Sequence, residues 1–143
     1  MSGTEIPFEG VIPLDHTADV GLEVRADDLS ELFLRAALGM THLILEAPLP
    51  EPEEGRMLRV VSDDLPGLLR NWLRELLYLH EVEGAAFVDA EFVDMDPTGL
   101  EATVRTGPDP APPAREIKGV TLHGLDVHQE VDGGWYARVI FDV

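Results

Sequence analysis

The chain has 143 residues, 45% of them apolar, and it sets 28 acids against ten lysines and arginines, for a formal net charge of −18 with no cysteine. That length suffices for one domain with a real core. The charge repels phosphate backbones and argues against direct nucleic-acid binding, and the missing cysteines exclude disulfides, zinc–thiolate sites and thiol nucleophiles. The first residues, Met1-Ser2-Gly3-Thr4-Glu5, carry neither a basic nor an apolar targeting region, and no apolar run reaches membrane-spanning length. A cytoplasmic protein without membrane contact is the expectation, with residues 1–7 as a flexible tail.

In chain order, Phe8 to Leu14 and Val20 to Ala26 read as strands. In the second, Val20, Leu22, Val24 and Ala26 alternate with Gly21, Glu23 and Arg25, the period of a half-buried strand. A helix follows from Asp28 to Leu45. Its apolar face is Leu29, Leu32, Phe33, Ala36, Ala37, Met40, Leu43 and Ile44, with Asp28 as N-cap and Glu31 three residues on. Three prolines and an acidic run make 47–55 a loop. Met57 to Val61 is a short strand. A second helix, Leu65 to Glu83, has Leu65, Leu68, Leu69, Trp72, Leu73, Leu76 and Leu77 as its buried stripe. Asp63 and Asp64 sit at its positive end, Pro66 in its first turn and Gly84 at its stop.

The remainder reads as strands: Ala86 to Met95, Leu100 to Thr106, Ile117 to His128 and Trp135 to Val143. Turns at Asp96–Gly99 and Asp132–Gly134 join neighbours, and 107–115 is a proline-rich loop. The order is roughly ββαβαββββ. Short links favour antiparallel pairing, so the fold class is α+β, a single domain (1–143) of two main helices on antiparallel sheets.

Polar chemistry concentrates in Asp15-His16-Thr17-Ala18-Asp19 and at the closing Asp142-Val143. In the last strand Trp135, Ala137, Val139, Phe141 and Val143 share the core face, and Tyr136, Arg138, Ile140 and Asp142 share the other. Asp15 and Thr17 have a structural use as turn caps, and a terminal Asp142 has one as a solvated residue. If Asp19 and Asp142 meet at neighbouring strand ends, they repel unless a cation joins them. Carboxylates with a backbone or terminal oxygen suit calcium, magnesium or manganese. Lys118, the sole lysine, opens Lys118-Gly119-Val120-Thr121-Leu122-His123, where an edge-strand lysine that discourages aggregation is the plain alternative. There is no His-x-x-x-His pair, nucleophile elbow, P-loop or dinucleotide fingerprint. The histidine of the second helix, His80, reads as packing or surface.

Taken together, His16-Thr17-Ala18-Asp19-Val20-Gly21, Leu32-Phe33, Ala36-Ala37-Leu38-Gly39-Met40, the run Leu68 to Leu79, Glu83-Gly84, Lys118 to His123 and Phe141-Asp142-Val143 resemble the archease family over nearly the whole chain. The resemblance implies an accessory protein, not an enzyme, that promotes guanylylation and repeated turnover of the GTP-dependent tRNA-splicing RNA ligase. It implies a divalent metal, calcium before magnesium or manganese, on Asp19, Asp142 and Val143. It also implies a part for Lys118, with His123, His16 and Asp15 in support. Gly119 and Leu122 depart from the alanine and tyrosine of many relatives. Two other functions fit the residues: a free-standing metal-dependent phosphoester hydrolase using Asp15, His16 and Asp19, and a chaperone-like binding module.

Overall fold

The structure is a computed structural model that describes residues 6–15, 19–53 and 55–143, without the side chains of Asp15 and Asp19. The elements are β1 (Val11–Asp15), β2 (Asp19–Ala26), α1 (Leu29–Leu45), β3 (Arg56–Val61), α2 (Leu65–Glu83), β4 (Ala85–Asp96), β5 (Gly99–Pro108), β6 (Gly119–Val120), β7 (Asp126–Gln129) and β8 (Trp135–Asp142). They form two antiparallel sheets. One runs β1-β2-β8-β6, with β7 pairing β8 beside β6; the other runs β3-β5-β4.

Both helices begin where a side chain replaces the missing intrahelical acceptor. Asp28 accepts from the Glu31 amide and Asp64 from the Gly67 amide, each at 2.8 Å. α2 ends at Gly84, whose φ of +64° suits the residue that leaves a helix. α1 packs on β2 and β8 of the larger sheet and on β4 of the smaller, and α2 contacts β3, β4, β6 and β7. The helices therefore form a layer between the sheets. This explains why α1 buries more than one face, including Thr41, whose hydroxyl donates to the Ala37 carbonyl at 2.8 Å. Trp72 anchors this layer: it is fully buried, its indole N–H donates to the Phe33 carbonyl at 3.0 Å, and Phe87 meets it edge-on. Ile6 is buried in the same core, so the expected tail over 1–7 does not extend that far; residues 1–5 lie outside those described.

The α+β class, both helices and the two predicted turns stand as read. Some boundaries move. β1 starts at Val11, three residues later than Phe8, and β5 runs on through Gly107 and Pro108 before the proline-rich loop begins. The single strand expected over Ile117 to His128 is corrected to two. After Val120 the chain turns, with Gly124 at φ +65° and the Leu125 amide donating to the Leu122 carbonyl, and pairing resumes at Asp126. A β-period pattern carries no signal for one residue that takes the left-handed conformation glycine tolerates. The turn has a purpose in the packing. It lies over Ile140, which points to the outer face of β8, is 1% exposed and stands outside the main core cluster. Beneath it, a methyl on Gly21 would lie 2.6 Å from Ile140 Cδ1, so only glycine leaves room there.

Candidate functional site

β8 is the middle strand of its sheet, and its last residue is held on both sides. The β2–β8 register sets Asp19 opposite Asp142, and the β6–β8 register sets Gly119 opposite the same residue. The Lys118 amide then donates to the Asp142 carbonyl at 2.7 Å. Residues about 120 positions apart in sequence thus meet at one end of the sheet. Directly paired residues of an antiparallel ladder share a face, and like charges there oppose each other. Asp142 is exposed and Val143 packs partly against the core, as the alternation along the last strand requires. One strand further out, Asp15 pairs with Val20. His16 lies outside the described residues, as do the side chains of Asp15 and Asp19. Among the described residues no three acidic or histidine side chains form a metal-sized cluster.

Lys118 is exposed just before β6, between the buried Ile117 and Val120. The Arg70 Nε–H holds the Val120 carbonyl at 2.7 Å, fixing the segment to α2. The chain leaves the sheet after Val120, and Leu122 emerges 70% exposed. Thr121 is the residue that motif reading left without a role. Its amide and hydroxyl both donate to the Ile140 carbonyl, at 3.0 and 3.1 Å, and its hydroxyl oxygen accepts the His123 amide at 3.2 Å. Thr121 therefore pins the His123 turn to β8. The His123 ring is exposed and makes no hydrogen bond among the described residues. The Lys-x-x-Thr-x-His spacing was the available signal.

Farther along the same outer face the side chains are tied down. The Tyr136 hydroxyl donates to Glu23 Oε2 at 2.9 Å, and the Arg25 guanidinium sits 4.8 Å from the Tyr136 ring centre. Burial, and then the Glu23 hydrogen bond, raise the Tyr136 phenol above its ordinary value. Next to Lys118 opens a groove of about 520 Å³ between α2 and β3, lined among others by Arg59, Val61, Arg74 and Tyr78. His80 lies elsewhere, largely buried with Nε2 3.0 Å from Asp109 Oδ2, in the packing role read for it.

The sequence model of the Archease protein family (MTH1598/TM1083) matches residues 13–143. The chain belongs to the archease family. Protein archease of Methanopyrus kandleri is 33% identical over 96% of this chain and 100% of its own length, and that of Pyrococcus abyssi is 31% identical over 90% and 95%. The solution structure of Methanobacterium thermoautotrophicum protein 1598 superposes with a TM-score of 0.73 at 32% identity, over 95% of this chain and all of that one. The crystal structure of a Thermotoga maritima archease, described as a possible chaperone, shares the fold with a TM-score of 0.61 at 20% identity, over 92% and 96%. Among the described residues no helix is long and apolar enough to cross a membrane.

Proposed function

We propose that this chain is a cytoplasmic accessory protein that activates the GTP-dependent tRNA-splicing RNA ligase, promoting its guanylylation and multiple turnover. In this reading Asp19, Asp142 and an oxygen of Val143 hold one divalent cation, calcium first, with magnesium or manganese as alternatives. The observation that carries it is the pairing of Asp19 with Asp142 at the sheet end where Lys118 joins β8, in a chain of this family. The donor set fits a hard cation, since every proposed ligand is an oxygen and Asp142 is exposed. A bound cation supplies positive charge that offsets two facing carboxylates. The protein's own part is positional. β2, β6 and β8 fix the backbone of the site, Lys118 stands beside it as a cation, and Thr121 holds the His123 turn. Binding then favours one state of the ligase, because a partner shifts a population only by its differential affinity.

The test is Asp142→Ala. Expected are an unchanged circular dichroism spectrum, calcium affinity lowered at least tenfold (about 1.4 kcal/mol) by titration calorimetry, and lost stimulation of multiple-turnover ligation. Full stimulation by a folded variant that no longer binds calcium would refute the metal part. A second reading, a chaperone-like module, draws support from the Thermotoga maritima relative's description as a possible chaperone. Suppression of aggregation of unrelated proteins, equal in wild type and Asp142→Ala, would favour it.

A further inference from the structure

We propose that the groove between α2 and the edge of β3, closed at one end by Lys118, receives an extended acidic segment of the partner protein. This rests on the reading of a ligase partner and specifies which surface meets it.

Charge is the first observation. Arg59, Arg74 and Lys118, three of the ten lysines and arginines in a chain with 28 acids, line this one groove. They face two carboxylates there, Glu75 and Glu81, so the groove is a cationic island on an acidic body. Among the described residues Arg74 and Lys118 have no carboxylate within ion-pair distance. Arg59 has only Glu101, at 3.4 Å, with its own side chain 72% exposed. Guanidinium groups left in this way suit planar carboxylates.

The second observation is shape. Among the described residues β3 is the edge of its sheet and pairs with β5 alone. No β5 residue lines the groove, which therefore opens on the unpaired side of β3. A sheet edge presents backbone groups to an added strand. The opposite edge, β4, is broken by two register shifts of the kind that blunt an edge, whereas β3 keeps a regular ladder. The Asn71 side-chain amide donates to the Val61 carbonyl at 2.9 Å, tying the end of this edge to α2 and fixing the groove's width.

Third, the walls carry unburied apolar surface. Val61 is 66% and Tyr78 58% exposed, and Tyr78 stands one helical turn beyond Arg74 on the same ridge of α2. An exposed aromatic beside an arginine is the composition of a protein-binding surface. A nucleic-acid strand would have to cross the acidic body to reach these three cations. The groove is also continuous with the proposed metal end, because Lys118 lines the groove while its amide bonds Asp142. A docked segment would thus set the ligase's register on the site.

The experiment measures affinity for the RNA ligase from the same genome by titration calorimetry, stimulation of ligation at saturating accessory protein, and hydrogen exchange of the complex. Arg74→Glu is expected to weaken binding at least tenfold and Tyr78→Ala several-fold, with both circular dichroism spectra unchanged and stimulation recovered at saturation. The amides of Arg59 and Val61, which face away from β5, should gain protection in the wild-type complex. Asp142→Ala should bind within about threefold of wild type yet fail to stimulate. If wild type binds and stimulates but Arg74→Glu binds equally well and the amides of Arg59 and Val61 stay unprotected, the groove proposal is wrong while the functional reading stands. If wild type neither binds nor stimulates the ligase, the functional reading fails and the groove proposal with it. Retention of a tRNA-length RNA by wild type alone, abolished by Arg74→Glu, would assign the groove to nucleic acid and overturn the proposal.

Discussion

Asp142 shows how much of a site's chemistry is decided by backbone pairing. Its carbonyl takes the Lys118 amide, and its ladder partners on either side are Asp19 and Gly119. Nothing in the spacing of Asp19 and Asp142 reveals that they are opposite, because register is a property of two strands together. What was legible was the face: the alternation from Trp135 to Val143 already set Asp142 away from the core. Tyr136, on that same face, permits a direct check. Its phenol is raised by burial and by the Glu23 bond, so the folded chain favours the neutral hydroxyl. The stability this adds is complete below the unfolded tyrosine value of about 10 and is lost as pH rises through the higher folded value. Titration of tyrosinate absorbance should find this group ionising late, and Glu23→Gln should bring its ionisation to lower pH. An unchanged titration in Glu23→Gln would mean that the hydrogen bond has no part in the shift.

Among the elements, α2 was the most legible. Asp64, Pro66 and Gly84 mark its limits in sequence, and the helix spans Leu65–Glu83 as read. The cap is open to measurement. Asp64→Ala removes the acceptor of the Gly67 amide and should cost about 1 kcal/mol, seen as a lower urea midpoint at unchanged slope. A loss below a few tenths of a kcal/mol would show that water serves the amide equally well. The segment from Ile117 to His128 was the least legible. Its β-forming residues are real, but Gly124 and the need to cover Ile140 interrupt them, and that need arises only once β8 has neighbours. α1 taught a related lesson. Its apolar stripe predicted one buried face, and burial extends beyond that face to Gly39, Thr41 and Leu45.

For the whole molecule, charge is the dominant property. A net −18 gives long-range attraction toward a basic partner surface such as that of an RNA-binding enzyme. Raising ionic strength from about 0.01 to 0.15 M shortens the screening length from about 30 to 8 Å. The association rate with the proposed ligase partner, followed by stopped-flow fluorescence, should fall about tenfold or more over that range while dissociation changes little. An association rate indifferent to salt would remove steering from the account. Fold class could be read from periodicity and family from short motifs in order, but the groove beside Lys118 could not, since it needs β3, α2 and β6 in place together.

The strand order has a last implication, for how the molecule is made. β8 comes last in the sequence yet lies at the centre of its sheet, with β2 on one side and β6 and β7 on the other. A nascent chain emerging from its amino end therefore holds the β1–β2 pair with the other edge of β2 unpartnered until residues 135–142 have been synthesised. Closure joins strands more than a hundred positions apart, the kind of contact that forms late. Position 19 meets position 142 only in that closing event. An unfinished or misfolded copy thus lacks the Asp19–Asp142 pairing, and completion of folding becomes the gate to the proposed site.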